Sequence, residues 1–405
     1  MDVFFQELKR QLNFKRFIKY ILIVITLALL WTWFIVGGAT ADFMQTGCYK
    51  GYKGREVIKV AAKDRNITAG EMTEKKFDKG CKVLLNSLKG SNEEDIIVNK
   101  NLLQYSVYAD KLIMQELKLR QSRGESIKNL LNIPKDAGRN FYKNEDGWYQ
   151  SYIEKNARNE SEKKLALSMW SSVKKPYTYY SGFEVWSDGI SHIVFFSFIL
   201  MIIVGVFAGS IIVQDNENGI DEIIKSTESG RKGLTVAKIV IPLIMASIIY
   251  LCGVGIYVVL LKLLLPIDAL NTSIQVVGRS LLSCTLIELI RYVFVLGGIG
   301  VLVIGAFSTW LSSVVKKSSR AIQISTLTVV VGFLLFSVID INSLIINVIK
   351  MLIPGEVVFA DIGAVNFPIT TFMGKAFFIP IISIMASGII FVFSILFTAL
   401  NYKRR

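Results

Sequence analysis

Nine charged side chains lie in one polar segment, residues 214–238, which is placed between two long apolar runs of the sequence. Ile220, Ile223 and Ile224 recur there at helical spacing, so a helix in this segment has an apolar stripe beside its carboxylates. Such a helix is suited to docking into a groove on a partner protein, and an ordinary solvated loop is the alternative. The charged residues of the segment are Asp215, Glu217, Asp221, Glu222, Lys225, Glu228, Arg231, Lys232 and Lys238.

Enzymatic chemistry has few candidate residues in this chain. His192 is the single histidine, which excludes multi-histidine metal sites and most nucleophiles that a histidine activates, so no metal site is expected. The Gly-x-x-x-x-Gly-Lys-Ser/Thr motif for nucleotide phosphates is missing, and the nearest fragment, at 374–376, reads Gly-Lys-Ala. We therefore expect this chain not to be an enzyme, to hold no cofactor and to hydrolyse no ATP by itself.

Two residue pairs near the apolar runs have spacings that favour specific contacts. Glu288 and Arg291 lie about one helical turn apart, which predicts an ion pair near the outer surface, with an outer-gate contact to substrate as the alternative. Gly205 and Gly209 form a Gly-x-x-x-Gly pair, which lets two helix backbones approach closely in lipid. Packing within the chain is the first interpretation of these glycines, and a dimer seam is the other.

The cysteines fall into two groups. Cys48 and Cys81 lie in the long polar region before the second apolar run, and a shared oxidising compartment makes a disulfide between them a reasonable hypothesis. Spacing alone does not show that their Cα atoms approach within about 7 Å. Cys252 and Cys284 lie in or near apolar runs, where we expect them to act as small packing residues.

The composition defines the elements that must position these residues. The chain has 405 residues, of which 52% are hydrophobic, and a mean hydropathy of +0.47, so it is too apolar for a soluble domain. A helix needs roughly 20 apolar residues to cross a hydrocarbon core of about 30 Å. Six runs meet this requirement: 20–39, 193–213, 239–261, 292–315, 321–339 and 376–400. The sequence therefore predicts an all-α polytopic membrane protein with six transmembrane helices.

These runs also predict the domain boundaries. Phe4, Phe5 and Leu8 recur at helical spacing among charged residues, as expected for a helix that lies in the membrane interface. A cleaved signal peptide is the alternative for the first run, which is longer than the usual apolar core of about 7–15 residues. The predicted units are an interfacial helix (1–16), a first span (17–41), a large extracellular domain (42–190) and a five-span membrane domain (191–405) that contains loop 214–238 and an outer re-entrant segment (340–375).

Basic residues predict the orientation. Lys and Arg crowd the N-terminus, the link 316–320 and the tail 403–405, which an even number of spans places together on one side. We expect this side to be cytoplasmic, with both termini inside the cell and the chain crossing the plasma membrane several times. The net charge is +14, but basic patches with interleaved aromatic residues are absent from these segments, so nucleic acid is not an expected partner.

The predicted extracellular domain is mostly α. Asn159 with Glu162, and Ser91 with Glu94, have the spacing of helix N-caps, whereas 57–61 is expected to form a short strand. An aromatic cluster precedes the second span; it is typical of a membrane-interface belt, and a ligand pocket is the alternative. The cluster consists of Tyr177, Tyr179, Tyr180, Phe183 and Trp186.

Loop 214–238 resembles the first cytoplasmic loop of the type-two family of ABC-transporter permeases. In that family a Glu and a Gly open a short amphipathic helix, and a Ser-Thr turn, an Arg and a Lys lead into the next span. The matching positions here are Glu217, Gly219, Ser226, Thr227, Arg231 and Lys238. The resemblance implies that the residues in contact with an ATPase are Glu217, Gly219, Asp221, Glu222, Ile223, Arg231 and Lys232.

The resemblance extends to the order of the segments. It implies an elbow helix before the first span, and an outward gate that includes the apolar stretch 344–354, which is too short to cross a membrane. It also implies two permease copies, or one copy and a homologue, each resting on a separate ATPase subunit that carries ATP and Mg²⁺. The expected function is export of a substrate such as a peptide, drug or ion. A membrane-anchored receptor or structural protein, and a channel, are the alternatives.

Overall fold

The computed structural model describes residues 2–11, 14–45, 49, 51–52, 54–88, 96–125, 133–219, 228–338, 344–360 and 367–404. These residues are mainly helical, with two short antiparallel ribbons among them. Helix α1 covers Asp2–Gln11, and helix α2 covers Phe14–Gln45 and contains the first apolar run.

A large insertion follows α2. Its predicted strand at 57–61 is wrong, because a helix covers these residues. Val57, Ile58 and Ala61 of that helix are buried, and their spacing matches one helical face rather than alternate positions of a strand. Strands β1 and β2 pair with each other in antiparallel orientation. The elements are α3 (Arg55–Arg65), β1 (Gly70–Glu71), α4 (Glu74–Asn86), α5 (Lys100–Gln104), α6 (Ser106–Arg123), α7 (Phe141–Asn156), α8 (Glu160–Ser171) and β2 (Thr178–Tyr179).

One of the two predicted helix caps in the insertion is confirmed. The Asn159 side chain accepts a hydrogen bond from the Glu162 amide at 3.0 Å, at the start of α8. This bond satisfies one of the amides that lack a partner in the first helical turn. Ser91 and Glu94 lie outside the described residues.

The rest of the chain is a helical bundle with one hairpin. The third apolar segment consists of two helices joined by a π-helical turn at Leu251–Gly255. The elements are α9 (Phe183–Ser210), α10 (Val213–Glu217), α11 (Glu228–Tyr250), α12 (Ile256–Leu264), α13 (Ile274–Val277), α14 (Leu286–Val314), α15 (Ser318–Val338), α16 (Leu344–Met351), β3 (Ile369–Phe372), β4 (Lys375–Phe378) and α17 (Ile379–Arg404).

Six helical segments of the described chain are long and apolar enough to cross a membrane, as predicted. They extend beyond several of the predicted runs, whereas the last one begins later, because Lys375–Phe378 form strand β4. In chain order, the six spans are Phe17–Gly38, Phe183–Glu217, Gly233–Leu264, Leu286–Val314, Ser318–Ser337 and Ile379–Tyr402. The protein is therefore a multi-pass membrane protein.

The second and fourth spans form the centre of the bundle. The Gly205 and Gly209 pair of the second span faces the fifth span: a Cβ atom on Gly205 would lie 2.5 Å from the Ser325 hydroxyl, and one on Gly209 3.5 Å from Ala321. In this structure the two glycines therefore serve packing within the chain, which was the first interpretation of their spacing.

The aromatic cluster before the second span is part of the protein interior rather than a belt in the membrane interface. Tyr177, Tyr179, Phe183 and Trp186 are buried. The Trp186 indole nitrogen donates a hydrogen bond to the Pro266 carbonyl oxygen at 2.7 Å, which joins the second span to the segment after the third. The cluster thus packs the insertion against the bundle.

The segment between the fifth and sixth spans packs into the bundle. Its short 3₁₀ helix, Glu356–Phe359, is buried, and Gly355 before it has φ +82° and lies against Ile304 of the fourth span. The β3–β4 hairpin contacts the insertion, where the buried Glu162 carboxylate accepts hydrogen bonds from Arg158 and Thr371 at 2.9 and 2.8 Å. Residues 340–343 and 361–366 of the predicted re-entrant segment lie outside the described residues.

Candidate functional site

Four charged side chains meet where the second span ends and the third begins; we call Glu7, Arg10, Asp215 and Lys238 the ion cluster. Arg10 donates to both oxygens of Glu7, at 2.9 and 2.8 Å, and to Asp215 at 2.5 Å. The Lys238 ammonium pairs with Glu7 at 2.8 Å and also contacts the Asp215 carboxylate. Two acids and two bases therefore balance their charges.

The ion cluster is buried. Lys238 is 1% exposed, Glu7 4% and Asp215 6%, whereas the Arg10 side chain reaches the surface and is 35% exposed. Burial of a charge is costly unless the charge is paired and hydrogen-bonded, and removing one partner of a buried pair leaves the other uncompensated. The four residues therefore act as one unit that fixes α1 against the second and third spans.

The electrostatics of α1 reflect this arrangement. Burial raises the pKa of Glu7, but hydrogen bonds from Arg10 and the charge of Lys238 outweigh it and lower this pKa to about 2. Burial lowers the pKa of Arg10, but its hydrogen bonds to Glu7 and Asp215 outweigh that effect and raise the pKa above its ordinary value. Both residues are thus held in their charged forms.

Apolar contacts support the same attachment. Phe4 and Leu8 of α1 pack against a buried cluster that includes Phe207 of the second span and Ile241 of the third. The helix predicted for this segment is therefore present as α1, and one of its faces packs against the bundle. Phe5, on another face, is exposed.

Glu217, a predicted ATPase-contact residue, has a partner within the chain. Its carboxylate oxygens accept hydrogen bonds from the Ser318 amide at 3.0 Å and from the Ser318 hydroxyl at 2.9 Å. Ser318 is the first residue of α15, so Glu217 caps the helix that forms the fifth span. A carboxylate at this position also complements the positive end of the helix dipole.

Gly219 ends the helical turn that carries Asp215 and Glu217. Its φ is +68°, in the left-handed region, and its amide donates to the Asn216 carbonyl oxygen at 3.3 Å. A glycine takes this conformation without a steric penalty, so it directs the chain away from α10 into the loop.

For the other five predicted ATPase-contact residues, the structure gives the backbone position of two and nothing for three. Asp221, Glu222 and Ile223 lie outside the described residues. Arg231 and Lys232 lie on α11, before the third span, and their side chains are also outside the description. Their contact with an ATPase stays a prediction.

Glu288, which the sequence predicts to pair with Arg291, has another partner in this structure. Glu288 instead forms a capping box at the start of α14, where its carboxylate accepts from the Thr285 amide at 2.8 Å and from the Thr285 hydroxyl at 3.2 Å. A capping box satisfies amides that the helix leaves without partners, so this contact is favoured over a pair between two exposed side chains.

The predicted disulfide is not formed by the described cysteines. Cys81 is a free, buried thiol, and its sulfur lies 3.7 Å from the Pro134 carbonyl oxygen. Cys48, its predicted partner, lies outside the described residues. Within the described part of the chain, no group of three or more His, Cys, Asp or Glu residues is arranged to hold a metal ion.

Sequence reasoning missed the ion cluster. Asp215 and Lys238 were recognised only as loop residues, and Glu7 and Arg10 only as the polar side of an interfacial helix. The apolar runs lack charged residues, but the spans extend past those runs and bring Asp215 and Lys238 into the bundle. The available signal was a lone basic residue, Lys238, directly before an apolar run.

Comparison with known proteins adds no family assignment. No protein-family model matches the chain, and no curated protein sequence matches it. The fold and the site define a multi-pass membrane protein whose polar loop is joined to α1 and to three spans. The likeness to type-two ABC permeases therefore depends on the loop motif and the order of the segments.

Proposed function

We propose that this chain is the transmembrane permease subunit of an ABC exporter. In this proposal two copies, or one copy and a homologue, form the pathway, and each rests on a separate ATPase subunit that binds ATP and Mg²⁺. The ATPase docks on loop 214–238, whose flanks are tied into the bundle. Peptides, drugs and ions are the candidate substrates.

The observation that carries this proposal is the double attachment of the loop. On its N-terminal side, Asp215 belongs to the ion cluster and Glu217 caps the fifth span. On its C-terminal side, Lys238 belongs to the same cluster. A force applied to the loop by a partner would therefore reach α1 and the second, third and fifth spans together.

This arrangement suits rigid-body coupling. Buried, paired charges tolerate little displacement relative to one another, because each separation leaves a charge unpaired. Closure of an ATPase dimer on ATP would thus move α1 and the attached spans as one body, as in other domain rotations about an interface. The proposal places the loop and both termini in the cytoplasm, the insertion outside the cell, and the chain in the plasma membrane.

The test is co-purification followed by an ATP-hydrolysis assay. The tagged chain is purified from its native membranes, associated ABC ATPase is identified by mass spectrometry, and ATP hydrolysis is measured in nanodiscs. Gly219→Val strains a residue with φ +68°, and Glu222→Lys reverses a loop charge. Each is expected to lower ATPase association about tenfold, equivalent to roughly 1.4 kcal/mol, without lowering the membrane level.

Gly147→Val is the matched control. Gly147 lies within α7 of the insertion, and a Cβ atom there meets nothing within 4 Å. We expect this variant to bind the ATPase as the wild type does. Full ATPase association in both loop variants, or a wild-type chain that carries no ATPase, would contradict the proposal.

A receptor that acts through the insertion is the second candidate. The contact of Glu162 and Arg158 with the β3–β4 hairpin favours it, because the hairpin leads directly into the sixth span. A receptor has no need of an ATPase. A chain that purifies without ATPase but responds to an external ligand would support this alternative.

A further inference from the structure

The insertion and the segment between the third and fourth spans line an open cavity of about 410 Å³. Helix α6 contributes Lys118 and Gln121, helix α7 contributes Trp148 and Lys155, and Arg279 lies on the connecting segment. This volume is in the range of small-molecule sites, which span about 300–1,000 Å³. Two parts of the chain that are distant in sequence thus form one concave surface.

The lining of this cavity is strongly basic. Lys118, Lys155 and Arg279 face it, and no carboxylate is among the described residues that line it. The remaining lining residues include hydroxyl and amide side chains, which bind polar groups on a ligand. A site lined by three cations, one of which (Lys118) is paired with Glu145 behind the lining, favours an anion with more than one charged oxygen.

Lys118 lies at the inner side of the cavity. Its side chain is 16% exposed, and its ammonium lies 3.6 Å from Glu145 and 4.6 Å from the centre of the Trp148 ring. Burial lowers the pKa of Lys118, the Glu145 carboxylate opposes this, and the positive charge of Arg279 lowers the pKa further. An anion held between Lys118 and Arg279 would relieve the repulsion between these two cations.

Aromatic rings form part of the cavity lining. The Trp148 and Tyr152 rings are stacked, with centroids 5.1 Å apart and planes 16° apart. Lys118 lies over the Trp148 ring, so the ammonium is held in place by an aromatic face as well as by Glu145.

We propose that this cavity binds a small phosphate ester with a hydroxylated body, such as a glycerol phosphate group. The Arg279 guanidinium suits phosphate oxygens because its donors are arranged in a planar fork, and the two lysines supply further positive charge. Gln121 and Ser151 line the same cavity and offer hydrogen bonds to hydroxyl groups. The proposal is independent of the exporter function, since binding requires only this chain.

The experiment measures binding to the full-length chain. For a free ligand, sn-glycerol 3-phosphate is titrated into protein in a neutral detergent, and glycerol serves as the uncharged comparison. For a lipid headgroup, the chain is placed in nanodiscs of phosphatidylcholine with or without phosphatidylglycerol, and lipid enrichment is measured by native mass spectrometry. Saturable binding of glycerol phosphate identifies a soluble source, and enrichment of phosphatidylglycerol alone identifies a membrane source.

Charge-reversal variants locate the site. Lys155 and Arg279 are exposed, so Lys155→Glu and Arg279→Glu change the cavity without disturbing a buried residue. Each is expected to weaken binding at least about tenfold. Lys135→Glu, at an exposed lysine of the insertion outside the cavity, is the matched control and should bind as the wild type does. Absence of binding in both arms, or equal weakening by Lys135→Glu, would overturn the proposal.

Discussion

The Glu217 carboxylate lies 3.0 Å from the Ser318 amide nitrogen, and this contact joins the end of the second span to the first residue of the fifth. The two residues are 101 positions apart in the chain. Glu217 is also the residue with which the predicted ATPase-contact surface begins. The same carboxylate thus lies at the start of the loop and at the N-terminus of the fifth span. A movement of the loop would therefore act directly on that span.

We expect Glu217→Ala to destabilise the fifth span by ~0.5–1 kcal/mol, because it removes a helix cap at a solvent-exposed position. Thermal unfolding in detergent should show a lower transition temperature. Ser318→Ala is the comparison. This variant keeps the 3.0 Å hydrogen bond from the Ser318 backbone amide to Glu217 and loses only the hydrogen bond from the hydroxyl, so its effect should be smaller. Equal effects of both variants would exclude capping as the main role of Glu217.

Lys238→Met should be strongly destabilising. It leaves Glu7 and Asp215 buried with one cation between them, and breaking a buried ion pair in this way costs about 3–5 kcal/mol. The control is Lys262→Met in the same span, where the lysine is exposed. Unfolding curves in one detergent compare the two variants. Similar melting of both would show that the ion cluster adds nothing to stability.

Acid should weaken the ion cluster through Glu7. Its pKa falls from 4.5 in the unfolded chain to about 2 in the folded one, so its contribution is complete above pH 4.5 and is lost as pH falls towards 2. Melting temperature should therefore decrease over this range. Glu7→Gln is less stable at neutral pH but has no carboxyl group to titrate at this position, so its pH dependence between 4.5 and 2 should be shallower. An unchanged slope would contradict this role.

The two glycines of the second span should differ in tolerance. Gly205→Ala places a Cβ atom 2.5 Å from the Ser325 hydroxyl, which overpacks the interface at a cost of about 1–3 kcal/mol. Gly209→Ala makes an ordinary contact of 3.5 Å with Ala321 and should be near neutral. The double variant Gly205→Ala, Ser325→Ala should recover stability in the same melting assay. Failure of this rescue would show that another contact limits residue 205.

Several features of the protein were predictable because they depend on local sequence. Six runs of about 20 apolar residues specify six spans, because a helix of that length crosses the hydrocarbon core and pairs its backbone polar groups within itself. The Asn159 cap follows from side-chain chemistry three residues along the chain.

What sequence alone did not determine depends on contacts between distant residues. Arg10 and Asp215 are 205 positions apart, and only the packing of α1 onto the second and third spans brings them together. A buried charge is costly unless it is paired. The packing of α1 therefore brings residues of the loop and of α1 together as one ion cluster. The same reason explains the aromatic cluster: amphipathic rings suit a membrane interface or a protein core equally well, and only the position of the insertion on the bundle decides between them.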